Sequence, residues 1–245
     1  MKVVILAAGY ATRLYPLTEN KPKALLKVGN ATILDRLIAQ LGGISGLEEI
    51  ILVTNARFFG QFDEWKVSCR LRTPLRVLND KTMSNDNRLG AVGDLALAIR
   101  EAGIKEDLLL LAGDNLFEQS LADFAAYARS KKDSVVIGVF DLGRPELAAK
   151  KFGVIETGAC GEVIGFQEKP EKPKSGLIGT GVYYFPADAL GFVEEYLKDK
   201  NARDAPGYFV SWLLGRVKIF SQPFKGLWYD IGDLKSLEEA NRIFK

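Results

Sequence analysis

The 245-residue chain contains no histidine. That absence removes Ser-His-Asp and Cys-His catalysis, zinc sites of the histidine type, and the usual general base near neutral pH. An enzyme of this composition must work with carboxylates, lysines, arginines, metal ions, or a nucleophile that needs no base. Cysteine is scarce as well. Cys69 and Cys160 stand alone and form no CxxC pair, which argues against a zinc ribbon or a disulfide framework. Neither sign of charge is in excess, the net charge being +2, so bulk electrostatics suggests no nucleic-acid or membrane partner. No apolar run approaches a bilayer span, and the N-terminus has no signal-type apolar core. The expectation is a soluble cytoplasmic protein. Two phosphate-binding signatures are also missing. No Gly-Lys-Ser/Thr follows Gly9, and Ala11 and Thr12 stand where GxGxxG needs glycines.

What is present begins at the N-terminus. Lys2 to Leu6 is an apolar, β-branched run that reads as a buried parallel strand. Leu6-Ala7-Ala8-Gly9-Tyr10-Ala11-Thr12-Arg13-Leu14 follows, and the stretch continues through Pro22 to Lys23. Small residues let a backbone approach something bulky, while Thr12, Arg13, Lys21 and Lys23 supply a hydroxyl and three cations. A strand end, a small-residue turn and then cations form a receptor for phosphates at the carboxyl edge of a sheet.

The rest of the first 142 residues alternates strand and helix. Thr32 with Asp35 reads as a capped helix start, Glu49–Thr54 as a strand, and residues 56–73 as a region holding a short helix. Pro74 to Leu78 is a third strand, and a polar, irregular stretch from Asn79 to Arg88 leads into Gly90 and a helix. The continuous apolar strand Asp107–Ala112 ends on Gly113-Asp114. Ser120 caps the next helix. This rhythm predicts an α/β fold with a doubly wound, mostly parallel Rossmann-like sheet. After Gly143-Arg144-Pro145, short strands joined by Gly- or Pro-rich turns predict an antiparallel second lobe. The expected organisation is one domain over 1–245, with a nucleotide-binding lobe at about 1–142 and a second lobe at about 143–245.

Asp114 and Asp230 are the metal candidates. Each follows an apolar or aromatic run and lies beside glycine, and Mg²⁺ prefers one or two carboxylates plus waters and substrate phosphates. Either aspartate alone also suits a turn cap. Glu168-Lys169-Pro170 closes a strand, where Pro170 favours an extended Lys169. There the carboxylate suits sugar hydroxyls and the ammonium a phosphate, although a surface ion pair is the plain alternative. Without histidine, the chemistry that fits is phosphoryl-type transfer. A phosphate monoester, with a second pKa of about 6, needs no base to attack the α-phosphorus of a nucleoside triphosphate. Mg²⁺, Arg13, Lys23 and Lys169 would neutralise the meeting anions.

These residues resemble a known signature. Leu6 to Thr18, followed by Pro22-Lys23-Ala24-Leu25-Leu26, is similar to that of the sugar-1-phosphate nucleotidyltransferases. This family includes glucose-1-phosphate thymidylyltransferases and mannose-1-phosphate guanylyltransferases. Gly113-Asp114-Asn115, Phe166-Gln167-Glu168-Lys169-Pro170 and Trp228-Tyr229-Asp230-Ile231-Gly232 continue the resemblance in the family's order. The resemblance implies a glycosyltransferase-A-like fold and a Mg²⁺-dependent enzyme joining a nucleoside triphosphate to a sugar 1-phosphate, with release of pyrophosphate. It implies that Leu6, Ala7, Ala8, Gly9, Thr12 and Arg13 hold the nucleotide, and that Lys23 bridges the reacting phosphates. Arg13 and Lys23 would be the catalytic cations and Asp114 and Asp230 the metal ligands. Asn85 and Gly90 would meet the base, and Gly153, Glu168, Lys169 and Thr180 the sugar phosphate.

The chain departs from the family at Gly9-Tyr10-Ala11, where Gly-Ser-Gly or Gly-Lys-Gly is common. Thr82 to Gly93 matches no subfamily, which leaves the base open. A cytidylyltransferase of phosphocholine or inositol 1-phosphate stays as an alternative, with Trp228, Tyr229, Tyr183 and Tyr184 as material for a choline cage. A non-catalytic sugar-nucleotide-binding subunit is a third reading, disfavoured by the full set of cations and carboxylates. A homo-oligomer would use the edge strands of the second lobe.

Overall fold

A computed structural model describes residues 1–199 and 201–244. The elements run β1 (Lys2–Leu6), the small hairpin β2 (Lys27–Val28) and β3 (Ala31–Thr32), α1 (Ile33–Ala39), β4 (Glu49–Thr54), α2 (Phe59–Ser68), β5 (Leu75–Asn79) and α3 (Ala91–Glu101). They continue as β6 (Leu108–Ala112), β7 (Asn115–Phe117), α4 (Leu121–Ser130), β8 (Val135–Asp141), β9 (Gly153–Thr157), β10 (Val163–Glu168) and β11 (Leu177–Phe185). The chain then forms α5 (Gly191–Lys198), α6 (Pro206–Leu213), β12 (Ile219–Pro223), β13 (Trp228–Asp230) and α7 (Leu234–Ile243).

The local signals explain the boundaries. The Thr32 hydroxyl accepts from the Asp35 amide at 3.0 Å and Asp35 accepts from the Thr32 amide at 2.9 Å, closing a capping box at α1. Ser120 and Asp233 cap α4 and α7 in the same way, each accepting from the amide three residues on.

The centre of the sheet is parallel, with β6, β1, β4 and β5 side by side. Successive residues of β1 enter opposite cores, as a strand covered on both faces requires. Val3 and Ile5 pack with Leu34, Leu37, Phe62 and Phe124 of α1, α2 and α4. Val4 packs with Val92, Leu95, Val193 and Phe209 of α3, α5 and α6. Helices therefore cover both faces, and the fold is a parallel α/β core extended by antiparallel strands.

The second lobe shares this sheet. Strand β11 runs antiparallel to both β6 and β8, while its first half also meets β9, which carries β10. Strand β8 is thus separated from the parallel core by β11, and its parallel neighbour is β12. Strand alternation alone suggested that β8 continued the parallel series; β11, arriving from later in the chain, takes that place. A second difference concerns Lys169. Its φ is 48°, in the left-handed region, not the extended conformation that Pro170 favours. The tight turn explains it: the Lys169 amide donates to Phe152 O at 3.1 Å, and the Lys150 amide to Pro170 O at 2.9 Å.

A small two-stranded ladder lies outside the main sheet. Strands β7 and β13 pair antiparallel, Trp228 opposite Phe117 and Asp230 opposite Asn115. A third core joins Leu14, Leu26, Val28, Ile33, Leu116, Ile231, Leu237 and Ala240. It fastens α7 to the segment following the N-terminal loop. Among the described residues, no helix is long and apolar enough to cross a membrane.

Candidate active site

At the carboxyl ends of β1 and β6 a cleft of ≈ 540 Å³ opens. Open α/β sheets bind ligands at this edge. Leu6, Ala7, Ala8, Gly9, Thr12 and Arg13 line one side, and Lys23, Asn85, Gly90 and Asp114 also face it. Residues from four separate segments of the sequence therefore meet in one space. The loop that follows β1 is tied twice where it leaves the strand: the Ala7 amide donates to Val53 O at 2.8 Å, and Asn55 Nδ2 donates to Ala8 O at 2.9 Å. Ala11 adopts φ 47° and ψ 43°, and Thr18 Oγ1 donates to its carbonyl at 2.8 Å. Tyr10 turns inward, 4% exposed, with its hydroxyl 3.2 Å from Thr82 Oγ1.

The charged centre lies where β6 ends. Lys23 Nζ sits 2.6 Å from Asp114 Oδ2. The β7–β13 ladder sets Asp230 beside Asn115, and the Ile231 amide donates to the Asp114 carbonyl at 3.2 Å. Two aspartates more than a hundred positions apart are thereby brought side by side. Asp230 Oδ2 and an Arg13 guanidinium nitrogen lie 3.3 and 3.9 Å from where a side chain on Gly232 would begin. Burial and the charge of Asp114 push the Asp230 carboxyl above the usual carboxylate range, while Lys23, Arg13 and Lys169 pull it back. Lys23 and Arg13 therefore stand beside the two carboxylates, and Lys169 acts on Asp230 from the neighbouring Glu168 site.

Glu168 and Lys169 stand outside the cleft lining, beyond this centre. Glu168 is 7% exposed at its side chain, and Lys169 Nζ lies 3.7 Å from its Oε1. Burial raises the Glu168 carboxyl, and Lys169 opposes that rise. Gly153 is its partner across the β9–β10 ladder. On the other side a Cβ at Gly207 would overlap Glu168 Oε2 and lie 2.7 Å from the Phe166 ring, so α6 can pass here only without a side chain. Thr180 is fully buried: its hydroxyl donates to Gly138 O at 2.9 Å and its carbonyl accepts from Trp228 Nε1 at 3.3 Å. Both of its polar groups are therefore engaged within the protein.

Other cleft residues carried no sequence signal of their own. Arg88, Asp94, Asp204, Ala205 and Pro206 all line the cavity. The 203–206 segment is held against α3 by the Val92 amide, which donates to Arg203 O at 3.0 Å. Gly90, with φ 78°, lets it come that close, since a Cβ there would lie 2.6 Å from Arg203 O. Arg88 Nε and Asp204 Oδ1, 3.0 Å apart, link the two loops at the mouth. A second cavity of ≈ 340 Å³, between Arg36–Gln40 and Asn115–Glu118, contains none of the candidate residues.

A cleft lined by Arg13, Lys23 and Asp114 at the carboxyl edge of a doubly wound sheet, with Asp230 set beside Asp114, defines a nucleotide-handling transferase. The Nucleotidyl transferase family model matches residues 2–245, and the chain belongs to that family of nucleotidyltransferases. Its curated relatives are distant. It is 26% identical over 246 residues to the bifunctional protein GlmU of Methanococcus maripaludis strain C7, covering 100% of this chain and 54% of that protein. It is 29% identical over 255 residues to the glucose-1-phosphate adenylyltransferase of Fusobacterium nucleatum, covering 97% of this chain and 65% of that one. The chain thus spans between half and two thirds of the length of these relatives. In fold it is similar to a putative glucose-1-phosphate thymidylyltransferase from Bacillus anthracis, crystallised with sucrose, at a TM-score of 0.84 and 24% identity. That match covers 99% of this chain and 94% of the other. An apo UDP-glucose pyrophosphorylase superposes at a TM-score of 0.81 and 19% identity, over 99% of this chain and 97% of that one.

Proposed function

We propose that this nucleotidyltransferase joins a nucleoside triphosphate to a sugar 1-phosphate, giving a nucleoside diphosphate sugar and pyrophosphate. The observation that carries the reading is the Lys23–Asp114 ion pair in the cleft, with Arg13 and Asp230 close by and the small-residue loop after β1 beside it. A sugar phosphate oxygen attacks the α-phosphorus, the bond to the bridging oxygen of the β-phosphate breaks, and pyrophosphate leaves with that electron pair. The acceptor is a dianion near neutral pH, its second pKa being about 6, so no residue has to remove a proton. The absence of histidine is consistent with that economy.

The chain's task is to align two anions and screen their repulsion. The loop from Leu6 to Arg13 receives the triphosphate. Lys23, now paired with Asp114, is placed to exchange that carboxylate for phosphate oxygens, and Lys169 enters from the acceptor side. Glu168 is buried deeply enough to accept hydrogen bonds from sugar hydroxyls with little competition from water. Asp114 and Asp230 fit Mg²⁺, which takes one or two carboxylates and leaves its other positions to waters and phosphates. Among the described residues no cluster of three or more metal-type side chains occurs, in keeping with such an open site. When bound, Mg²⁺ would supply charge neutralisation for the phosphates.

A choline phosphate acceptor is less well supported. Tyr184 is tied to Asp107 at 2.5 Å, Tyr229 packs on Phe244, and Trp228 stacks on Phe140, so these rings do not form one cage. The test is pyrophosphate release with Mg²⁺, pairing CTP, UTP, GTP, ATP and dTTP with hexose 1-phosphates, phosphocholine and inositol 1-phosphate. Turnover with a hexose 1-phosphate is expected. Activity confined to CTP and a non-sugar phosphate would replace the reading, and binding of nucleotide without turnover on any acceptor would end it.

A further inference from the structure

The loop between β5 and α3 borders the cleft, and its two ends are fixed. At the start, the Thr82 amide donates to Asp80 Oδ1 at 2.7 Å, and the Thr82 hydroxyl lies 3.2 Å from that of Tyr10. Asp80 is in turn hydrogen-bonded to Asp94 in the first turn of α3; burial and the charge of Asp80 push the Asp94 carboxyl up to about 8. At the other end Gly90 lies against Arg203, whose carbonyl accepts from the Val92 amide. Residues 83–88, between these ends, are all exposed and form one tight turn at Asn85–Asn87. Inside that turn Asn87 Oδ1 accepts from the Ser84 amide at 3.1 Å. Among the described residues, a single side chain joins this stretch to the rest of the protein by hydrogen bonds, and it is Arg88.

The guanidinium of Arg88 reaches both the loop and the wall opposite. Nε and Nη2 lie 3.0 and 2.9 Å from Asp204 Oδ1, and Nη1 donates to Asn85 O at 2.7 Å. Asp204 belongs to a segment that is anchored without this contact, since Arg203 also donates from Nη2 to Leu197 O at 3.3 Å and Pro206 begins α6. Asp204 is therefore the firm partner and the loop the one that is held. Asn85, Arg88, Asp204 and Ala205 all line the cleft. An exposed ion pair adds little to the stability of a whole fold. Where it is the one polar tie of a loop, its effect falls on how often that loop occupies a given conformation. A ligand that needs this conformation loses affinity in proportion as the conformation becomes rarer.

We propose that Arg88 is a positioning residue for the nucleotide: its clasp on Asp204 holds the 83–88 loop, and with it Asn85, in place along the cleft wall. The inference rests on the cleft receiving a nucleoside triphosphate whose base meets this wall. Arg88 acts through the loop, and its bond to the Asn85 carbonyl carries the anchorage from Asp204 to that residue.

The test measures binding of the five nucleoside triphosphates by calorimetry, and steady-state turnover, in wild type, Arg88→Ala, Asp204→Ala and the double variant. Each single variant should raise Kd and KM for the nucleotide that wild type binds best about fivefold to tenfold. Values of kcat at saturation and of KM for the acceptor should stay within about twofold of wild type. The double variant should bind no more weakly than either single one, because both changes remove the same contact. Both side chains are exposed, so all three variants should melt close to wild type. Without ligand, a protease that cuts before aspartate should cleave at Asp86 several times faster in each single variant than in wild type. Weakened binding in Arg88→Ala with none in Asp204→Ala overturns the inference, since Arg88 would then touch the nucleotide itself. Losses that multiply in the double variant overturn it too, as do an unchanged nucleotide KM and an equal rise in KM for the acceptor. If no nucleotide binds wild type at all, the triphosphate reading of the cleft falls, and this inference with it.

Discussion

Replacing Asp94 by asparagine should change how stability depends on pH, independently of any substrate. The Asp94 carboxyl is held at about 8 in the folded protein, against 3.8 for an ordinary aspartate. Between those limits the unfolded chain has released a proton that the folded chain retains. Unfolding then releases a proton, so stability falls as pH rises from about 4 to about 8 and levels off above that. Each pH unit within the window is worth about 1.4 kcal/mol, so the full span sets a ceiling of ~6 kcal/mol. Sharing of the proton with Asp80 and local relaxation bring the expected effect to roughly 2–4 kcal/mol. Asparagine donates to Asp80 without titrating and should lose none of this. Equilibrium unfolding in urea at pH 5, 6, 7 and 8.5 measures the difference directly. The gap between Asp94→Asn and wild type should widen steadily with pH. Two parallel stability curves would falsify a carboxyl held protonated by the fold at Asp94.

Other perturbations have equally definite outcomes. Asp114→Asn and Asp230→Asn should each lower turnover about a hundredfold or more while the thermal melt stays near that of wild type; full activity in both variants removes the metal assignment. Chelation with EDTA should stop pyrophosphate release, and added Mg²⁺ should restore it. Gly207→Ala drives a methyl group into Glu168, so KM for the sugar phosphate should rise more than KM for the nucleotide, with a stability loss of about 1–3 kcal/mol; equal effects on both constants would count against Glu168 as the sugar ligand. Tyr10→Phe removes the hydroxyl that meets Thr82 and should cost about 1 kcal/mol, read as a fall of roughly 2–4 °C in melting temperature.

Where the information is local, the sequence is an adequate guide. The capping box at Thr32 and Asp35, the β-branched strand Glu49–Thr54 and the Ser120 cap lie where composition and spacing put them. The same holds for the loop after β1, because its small residues and cations are contiguous. Long-range pairing is what the chain does not spell out. Nothing near residue 177 says that β11 will enter beside β6 and displace β8 from the parallel series. Nothing near Pro170 says that hydrogen bonds to residues 150 and 152 will override its preference and hold Lys169 in the left-handed region. Asp80, in a polar stretch, and Asp94, in an amphipathic helix, are unremarked because their meeting depends on how the start of α3 sits beside the loop after β5. The wall formed by residues 203–206 is equally silent, since it is defined by the one backbone position, Gly90, that lets it approach.

The ladder of β7 with β13 sets the order in which this site can come into being. Asp114 is present once the parallel core forms, but its companion is delivered by a strand over a hundred residues later, anchored by α7 against Leu14, Leu26 and Val28. The same contact braces the segment just behind the loop that follows β1. Completion of the second carboxylate and stiffening of the first loop are thus one event, the seating of the last helix.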